Sequence, residues 1–351
     1  MSDQSRIEWT DATWNPVTGC TKVSAGCDHC YAETLHERFN GKGSFATVTP
    51  HPDRLEKPVG WRKPRRVFVN SMSDLFHKDV PDRFIAKVFH TMGTSPQHTF
   101  QVLTKRPGRM RALLNSVDFV NLMIDVDRKT GFGSTKEKEE EQARLFIASP
   151  RWPLPNVWLG VSTEDQKWAD IRIPALLDTP AAVRWISAEP LLGPVTLNPY
   201  WLHGAPEWGP EYREPTSPTG LLVQDLVSVK PQLDWVVVGG ESGPGARPMH
   251  PAWARSLRDQ CASANVPFLF KQWGKWCPPA REFGQSPYDH VTNEDACQVV
   301  SAGGELLGRP WPGWAVQDGT RDAHVMRSYR KTDAGRVLDD RIWDEYPAVT
   351  A

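Results

Sequence analysis

Short apolar runs rich in β-branched residues recur along this chain, and most of them are followed by a stretch with the periodicity of a helix. Two of these runs, VWLGV within residues 156–165 and WVVVGG within residues 233–243, are apolar without alternation. Continuous apolar strands that alternate with helices are typical of a parallel sheet covered on both faces. The pattern therefore predicts an α/β fold.

The number of these units indicates the kind of sheet. With WNPVTG (residues 14–19) as the first strand, roughly six βα units can be counted, which predicts a partial (β/α)6 TIM-like barrel. A doubly wound open sheet is the competing topology. The clearest helical patterns cover residues 82–92, 167–178 and 251–264.

The length of 351 residues fits one large barrel with additions. We predict a barrel over residues 1–274, and an irregular C-terminal extension over residues 275–351, rich in Pro, Gly and Trp, that packs on it. Insertions into the barrel are expected near residues 40–64, 125–150 and 199–232.

Composition limits the partners of such a chain. The formal net charge is −1 and the mean hydropathy is −0.49, so any contact with a nucleic acid has to be local. The sequence has no run of about 18 apolar residues, and its start, MSDQSRIEWTD, lacks the features of a signal peptide. We therefore expect a cytoplasmic protein without a membrane partner.

Polar residues stand at the end of almost every predicted strand. The carboxyl ends of the strands are where α/β folds collect their functional groups, so these residues form the first candidate site. Each one alone could equally be a turn residue or a helix cap. The six strand ends read Asn70-Ser71-Met72-Ser73-Asp74, Thr104-Lys105-Arg106, Ser162-Thr163-Glu164, Ser187-Ala188-Glu189, Gly239-Gly240-Glu241-Ser242 and Lys271-Gln272.

Three cysteines, Cys20, Cys27 and Cys30, lie close together after the predicted first strand. In a reducing compartment such a cluster more often binds a metal or does chemistry than forms disulfides. One interpretation is a structural zinc site that His29 or His36 completes as a Cys₃His set. The other is an iron–sulfur cluster with one iron left free for a ligand. The remaining cysteines are scattered and read as ordinary thiols: Cys261, Cys277 and Cys297.

The spacing Cys20-x₆-Cys27-x₂-Cys30 resembles a lengthened form of the cluster loop of the radical S-adenosylmethionine (radical SAM) superfamily, C-x₃-C-x₂-C, with His29 at the place of its usual aromatic residue. The resemblance implies a partial barrel whose first strand leads into this loop. It also implies a [4Fe–4S] cluster, S-adenosylmethionine (SAM), a 5′-deoxyadenosyl radical and an external one-electron reductant.

A second likeness covers most of the chain. The segments IEWTDATWNPVTGC, CDHCYA, NSMSDLF, LTKRP, WLGVS, SAEPLLG, GGESG, FKQWG and DDRIWDEYP resemble the phage Gp37/Gp68 three-cysteine-motif family. Related phage systems contain radical SAM isomerases that rework amino acids attached to hypermodified thymidine in DNA. The resemblance therefore implies a DNA substrate with a modified base, and a rearrangement such as N-glycyl to C-glycyl.

By analogy with the superfamily, the end of the second strand faces the methionine amino group of SAM, and Lys105 or Arg106 binds its carboxylate. The second-strand residues are Asn70, Ser71, Ser73 and Asp74. Asp74 could equally stabilise the following turn.

The later strand ends are assigned to the rest of the cofactor. Ser162 and Glu164 are expected at the ribose hydroxyls, although Glu164 could instead cap the next helix. Ser187 and Glu189 are expected close to the adenosyl group.

Substrate contacts are predicted on the last two strands. Glu241 in GGESG points at SAM or substrate, Lys271 and Gln272 fix the edge or phosphate of a base, and a base stacks on Trp273. Basic patches at residues 61–66 and 105–111, with loops at 40–66 as clamps, are consistent with DNA, from which a base would have to be flipped out. Other substrates (a nucleoside, tRNA or a peptide) and a non-catalytic zinc protein stay open as alternatives, as does the oligomeric state.

Overall fold

The computed structural model describes residues 5, 7–127, 152–204, 231–278, 297–308, 323–329 and 334–348. Its centre is a seven-stranded sheet in which every neighbouring pair is parallel. The strands are β1 (Ala12–Trp14), β2 (Arg66–Val69), β3 (Thr99–Thr104), β4 (Val157–Ser162), β5 (Val183–Ala188), β6 (Trp235–Gly239) and β7 (Phe268–Gln272).

Helices follow the strands along the chain. The first six strands are each followed by at least one helix, which confirms the expected six βα units, and β7 completes the sheet. The helices are α1 (Tyr31–Asn40), α2 (Asp82–Gly93), α3 (Pro107–Leu114), α4 (Val117–Asp127), α5 (Gln166–Leu177), α6 (Pro199–His203) and α7 (Pro251–Ala264).

The strand order distinguishes between the two topologies that the sequence allowed. The seven strands lie side by side in the order in which they occur along the chain. A doubly wound sheet reverses its strand order at a switch point, and this sheet does not. It curls into a half-barrel, with β1 and β7 as its two edges.

The first strand differs from the prediction. Strand β1 ends at Trp14, and the next two residues, Asn15 and Pro16, interrupt it because proline cannot donate a ladder hydrogen bond. Val17–Thr18 instead pairs with Thr49–Pro50 in a short antiparallel ribbon. This ribbon connects the expected insertion near 40–64 to the chain just ahead of the cysteines. The insertion has short 3₁₀ turns in place of regular helices.

Side-chain alternation divides the buried apolar residues into two groups. On β2, Val67 and Val69 belong to the large cluster between the sheet and its helices, whereas Phe68 belongs to a second cluster on the concave face. That concave cluster is dominated by aromatic rings. Its buried members are Trp9, Phe68, Trp158, Trp185, Trp235, Val237 and Leu269.

The part of the C-terminal extension that the structure describes contacts the barrel and contains regular strands. Its strands β8 (Trp276–Cys277), β9 (Cys297–Ser301), β10 (Leu306–Gly308) and β11 (Ala323–Ser328) form an antiparallel sheet, and β12 (Val337–Leu338) and β13 (Arg341–Ile342) form a hairpin. The following residues then run along the edge of β7.

The end of the chain partly covers the opening between the two edges of the half-barrel. Phe270 N donates to Trp343 O at 3.0 Å, so the segment adds to the β7 edge. Tyr346 then stacks on Trp235 at a centroid distance of 5.2 Å and lies beneath the Arg66 guanidinium, 4.3 Å away on β2. The expected insertions near 125–150 and 199–232 lie largely outside the described residues.

The concave face is too tightly packed at Gly160 of β4 to accommodate a side chain. A Cβ atom there would lie 2.4 Å from the ring of Trp185, which is fully buried. We predict that Gly160→Ala lowers the free energy of unfolding by about 1–3 kcal/mol, because the ring has to shift. Urea unfolding of Gly108→Ala, where no atom lies within 4 Å of the added Cβ, provides the matched control. Equal stability of the two variants would contradict the packing described for the concave face.

Candidate functional site

A cavity of about 430 Å³ opens at the carboxyl ends of the strands, above the aromatic cluster. This volume falls in the range of small-molecule sites. Its floor is apolar and includes Ile7, Trp9, Phe68 and Leu103. The half-barrel thus provides an apolar floor with polar strand ends around it.

All but two of the site residues predicted from the sequence line this one cavity. They come from the cysteine segment and from the ends of β2 to β7, which the curled sheet brings together. The residues are Cys20, Cys27, His29, Cys30, Asn70, Ser71, Ser73, Asp74, Lys105, Arg106, Ser162, Ser187, Glu189, Glu241, Lys271 and Gln272.

Glu164 and Trp273 are the two residues that do not line the cavity. Glu164 is fully buried beneath the cysteine segment. Trp273 is 4% exposed, its indole N–H donates to Val337 O at 2.9 Å, and its ring packs edge-on against Phe270. This placement corrects the expectation that a base stacks on Trp273. The indole that faces the cavity belongs to Trp9.

The cysteines occupy a loop between the ribbon strand at Val17–Thr18 and α1. Gly19 opens the loop with φ +86°, and a Cβ there would lie 2.0 Å from Thr47 O, so only glycine fits. A 3₁₀ turn covers Ala25–Cys27, and Cys30 is the N-cap residue of α1. The three thiols are each partly exposed.

The thiols share the cavity without converging on one point. Within the described ranges, no group of three or more His, Cys, Asp or Glu side chains is arranged to hold a metal ion. In chemical type, however, three partly exposed thiols on one cavity wall suit an iron–sulfur cluster, which is held by thiolates.

Asp74 organises the end of β2 through four hydrogen bonds. Its carboxylate accepts from Thr104 Oγ1 at 2.7 Å, from Lys105 N at 3.0 Å, from Arg106 Nη1 at 3.0 Å and from Phe76 N at 3.0 Å. Asp74 therefore supports the neighbouring strand end and the turn that follows it, which was the alternative reading of this residue.

Arg106 connects Asp74 to the cysteine loop. Its Nη1 lies 3.6 Å from Cys20 Sγ, and its Nη2 donates to Thr21 O at 2.8 Å. Burial raises the pKa of the Cys20 thiol to about 11, with a further increase from Asp74, while Arg106 acts in the opposite direction. The guanidinium that the resemblance assigned to a cofactor carboxylate thus holds the loop in this structure.

A second buried network centres on Glu164. Its carboxylate accepts from Ser24 Oγ at 2.8 Å and from Arg172 Nη1 at 2.8 Å, and it also pairs with Lys105. Burial alone raises the pKa of Glu164, but the charges of Lys105 and Arg172 outweigh it, so the pKa lies below its ordinary value. Glu164 is therefore an anchor of the cysteine loop.

The opposite wall is built by β5, β6 and β7. Lys271 Nζ and Glu189 Oε1 form an ion pair at 2.8 Å, and Ser187 Oγ donates to Glu189 Oε2 at 3.1 Å. Gly239 gives this carboxylate room, because a Cβ there would lie 2.7 Å from Glu189 Oε1. The pair faces the cavity with its charges already compensated.

Two buried amide side chains on the cavity wall lack one hydrogen-bond partner each within the described residues. Asn70 Nδ2 and Gln272 Oε1 are the atoms concerned, and the two residues are 2% and 6% exposed. The other end of the Gln272 amide donates to Ser242 Oγ at 2.9 Å. Turning that amide over would only change which of its two polar atoms is without a partner. Buried polar atoms without a partner cost free energy, so both residues are suited to a polar ligand.

Sequence reasoning missed two arginines at this site. Arg172 stands within the apolar helix stretch DIRIPALL, where a fully buried cation indicates a buried carboxylate partner. Arg247 follows GGESG by a few residues and binds Glu241 through Nε at 2.9 Å and Nη2 at 2.6 Å. The sequence around Arg247 gave a weaker indication of a buried ion pair, since an arginine in a Gly/Pro-rich loop is usually exposed.

Of the residues in the two basic patches, only Lys105 and Arg106 line the cavity, and both are paired with carboxylates. Residues 61–66 enter β2 from its amino end, opposite the cavity. In the 105–111 patch, Arg109 Nη2 donates to Val80 O at 2.7 Å and Arg111 Nη1 pairs with Asp178 at 3.0 Å. Among the described residues, the two patches therefore give the cavity no unpaired cation.

Fold and site together define an α/β protein with a parallel half-barrel and a cavity lined by cysteines at the carboxyl ends of its strands. The chain belongs to the family DUF5131, described as a protein of unknown function, whose family model matches residues 4–347. No curated protein and no solved structure matches the chain. Within the part of the chain that the structure describes, none of the helices is long and apolar enough to cross a membrane.

We predict that Glu164→Gln lowers the free energy of unfolding by about 3 kcal/mol near neutral pH, because it leaves buried cations without their anion. The pKa of Glu164 is held below its ordinary value, so its ionic contribution is present above the ordinary carboxyl pKa and is lost as pH falls through the lowered pKa. The difference between variant and wild type should therefore shrink in acid.

Denaturant unfolding measured across this pH range tests the prediction. Asp178→Asn is the control, since it removes an exposed carboxylate paired with Arg111 and should change stability by less than about 0.5 kcal/mol. A Glu164→Gln variant as stable as this control would contradict the role of Glu164 as a buried anchor.

Proposed function

We propose that this chain is a radical SAM enzyme in which Cys20, Cys27 and Cys30 hold a [4Fe–4S] cluster. The observation that carries the proposal is that three partly exposed thiols and the polar ends of six strands line a single cavity. Three thiolates would leave one iron of such a cluster open to a ligand. When bound, the cluster would supply the electron that cleaves SAM. An external one-electron reductant would then return an electron to the cluster.

The cavity offers neutral groups for SAM. Asn70 is the strongest candidate, since its buried Nδ2 lacks a partner among the described residues. Ser71, Ser73, Ser162 and Ser187 add hydroxyl groups at neighbouring strand ends. We propose that these side chains bind and orient SAM, while Asp74, Arg106 and Glu164 hold the cysteine loop in place.

We propose a modified pyrimidine in DNA as the substrate, a thymidine that carries an amino acid. Lys271 and Glu189 offer paired charges to the amino-acid group, and Gln272 offers a buried amide to a base edge. Trp9 and Phe68 provide the apolar floor on which a flipped base would rest. The reaction would be a rearrangement such as N-glycyl to C-glycyl, in a reducing compartment such as the cytoplasm.

We predict that anaerobic reconstitution with iron and sulfide loads about four irons per chain. The electron paramagnetic resonance (EPR) spectrum of the reduced protein should then change on addition of SAM. Cys20→Ala, Cys27→Ala and Cys30→Ala should each lose most of the iron, whereas Cys261→Ala, which removes a buried thiol of α7, should keep it. If the protein instead binds stoichiometric zinc and no iron, the radical mechanism is contradicted and the three cysteines form a structural metal site.

The substrate is tested separately. We predict that DNA bearing amino-acid-modified thymidine increases methionine release from SAM by at least about tenfold over unmodified DNA, as expected when binding energy of the substrate assembles the site. The free nucleoside, tRNA and peptides are compared in the same assay. Stimulation by one of these alone would reassign the substrate and leave the cofactor proposal standing.

A further inference from the structure

The cysteine loop is held mainly by side chains from other parts of the fold. Arg106, after β3, binds the backbone at Thr21. Glu164, after β4, accepts from Ser24. Arg247, after β6, donates from Nη2 to Ala25 O at 2.9 Å and from Nη1 to Asp28 Oδ2 at 3.3 Å.

The contacts of Arg247 enclose the middle cysteine. Ala25 and Asp28 stand two residues before and one residue after Cys27, and both are bound by the same guanidinium. The adjoining loop also touches the cysteine segment, because a Cβ at Gly245 would lie 2.8 Å from the His29 ring. The loop after β6 therefore contacts the cysteine segment on both sides of Cys27.

Arg247 is itself fixed to the sheet through Glu241. This carboxylate accepts from Arg247 N at 2.7 Å in addition to its two bonds to the guanidinium, and its side chain is 5% exposed. Lys275 N donates to Glu241 O at 2.8 Å. A Cβ at the preceding residue, Gly240, would lie 1.9 Å from Trp273 O, so the backbone at the end of β6 has little freedom.

We propose that Arg247, held by Glu241, is the positioning residue for Cys27. This inference rests on the proposed function in one respect, namely that Cys27 is a ligand of the cluster. The planar guanidinium supplies five N–H donors in one fork, so a single side chain can grip Glu241, Ala25 and Asp28 together. A lysine side chain carries the same charge but lacks this planar arrangement of N–H donors. Glu241, which the sequence assigned to SAM or substrate, acts on the cysteine loop through Arg247.

The first test needs no iron. Iodoacetamide labelling of the metal-free protein at one fixed pH, read by mass spectrometry, reports the exposure of each thiol together with the fraction present as thiolate. We expect Arg247→Gln to label Cys27 about tenfold faster than wild type, since the loop loses charge-assisted hydrogen bonds on both sides of this residue. Labelling of Cys261 should not change.

Arg255→Gln is the matched control. Arg255 donates from Nε to Asp339 Oδ2 at 3.0 Å and from Nη2 to Asp339 Oδ1 at 2.8 Å on the outer surface of α7, so the substitution removes the same type of ion pair away from the cavity. Asp28→Asn is a second test variant, because it weakens one contact of Arg247 and leaves Glu241 in place. It should accelerate labelling of Cys27 less than Arg247→Gln does.

The second test uses reconstituted protein. We expect Arg247→Gln to bind less iron and to give an altered EPR spectrum, and Arg247→Lys to recover part of both. Unchanged Cys27 labelling in Arg247→Gln and Asp28→Asn would overturn the proposal, even if wild type binds a cluster. Faster Cys27 labelling, together with a wild type that binds no cluster, would retain the positioning role and reject the proposed function.

Discussion

Indole rings fill the concave face of the half-barrel, and the rest of the site depends on them. Trp9 packs edge-on against Trp185 at 5.2 Å, and Trp158 packs against Trp235 at 5.8 Å. Strand alternation places Ser162 and Ser187 in the next inward-facing layer above these rings, and Gly239 lies one step further along β6. Small side chains at this level leave space for the cavity, whereas the large rings below form its floor.

The charges around the cavity are already compensated. Among the described residues that line it, each Lys, Arg, Asp and Glu side chain forms an ion pair, with Lys105, Arg106 and Lys271 as the cations on the wall. A ligand must therefore be held by hydroxyl groups, amides and thiols, or take over one member of a pair. Among the described residues that line the cavity, the side chains with a buried polar atom lacking a partner are Trp9, Asn70 and Gln272, and all three are neutral.

Much of this architecture could be predicted because it follows from local patterns. The apolar runs and helical periodicity located the strands from β2 onward, and parallel strands bring their carboxyl ends together wherever the sheet curls. What the sequence could not give was the direction of individual side chains. Trp273 follows β7 directly, yet its ring turns into the core, and Trp9, which precedes β1, reaches the cavity. Such choices depend on packing between distant segments.

The ion pairs of the site also depend on contacts between distant segments, so the sequence did not predict them. Lys105 and Arg106 are adjacent, and the sequence analysis assigned either of them to one carboxylate of a ligand. In the fold they bind different carboxylates, Glu164 and Asp74. Arg247 and Asp28 are far apart in sequence, so their contact is set only by the closure of the half-barrel. Motif reading thus selected residues that the fold brings to one cavity, but it did not predict which charged side chains pair there.

The six residues between the first two cysteines contact several strand ends. Between Cys20 and Cys27, Thr21 meets Arg106, Ser24 meets Glu164, and Ala25 meets Arg247. Gly26 passes so close to Glu164 that a Cβ would lie 2.5 Å from its side chain. These residues thus hold the cysteine loop against the sheet through contacts with the ends of three separate strands.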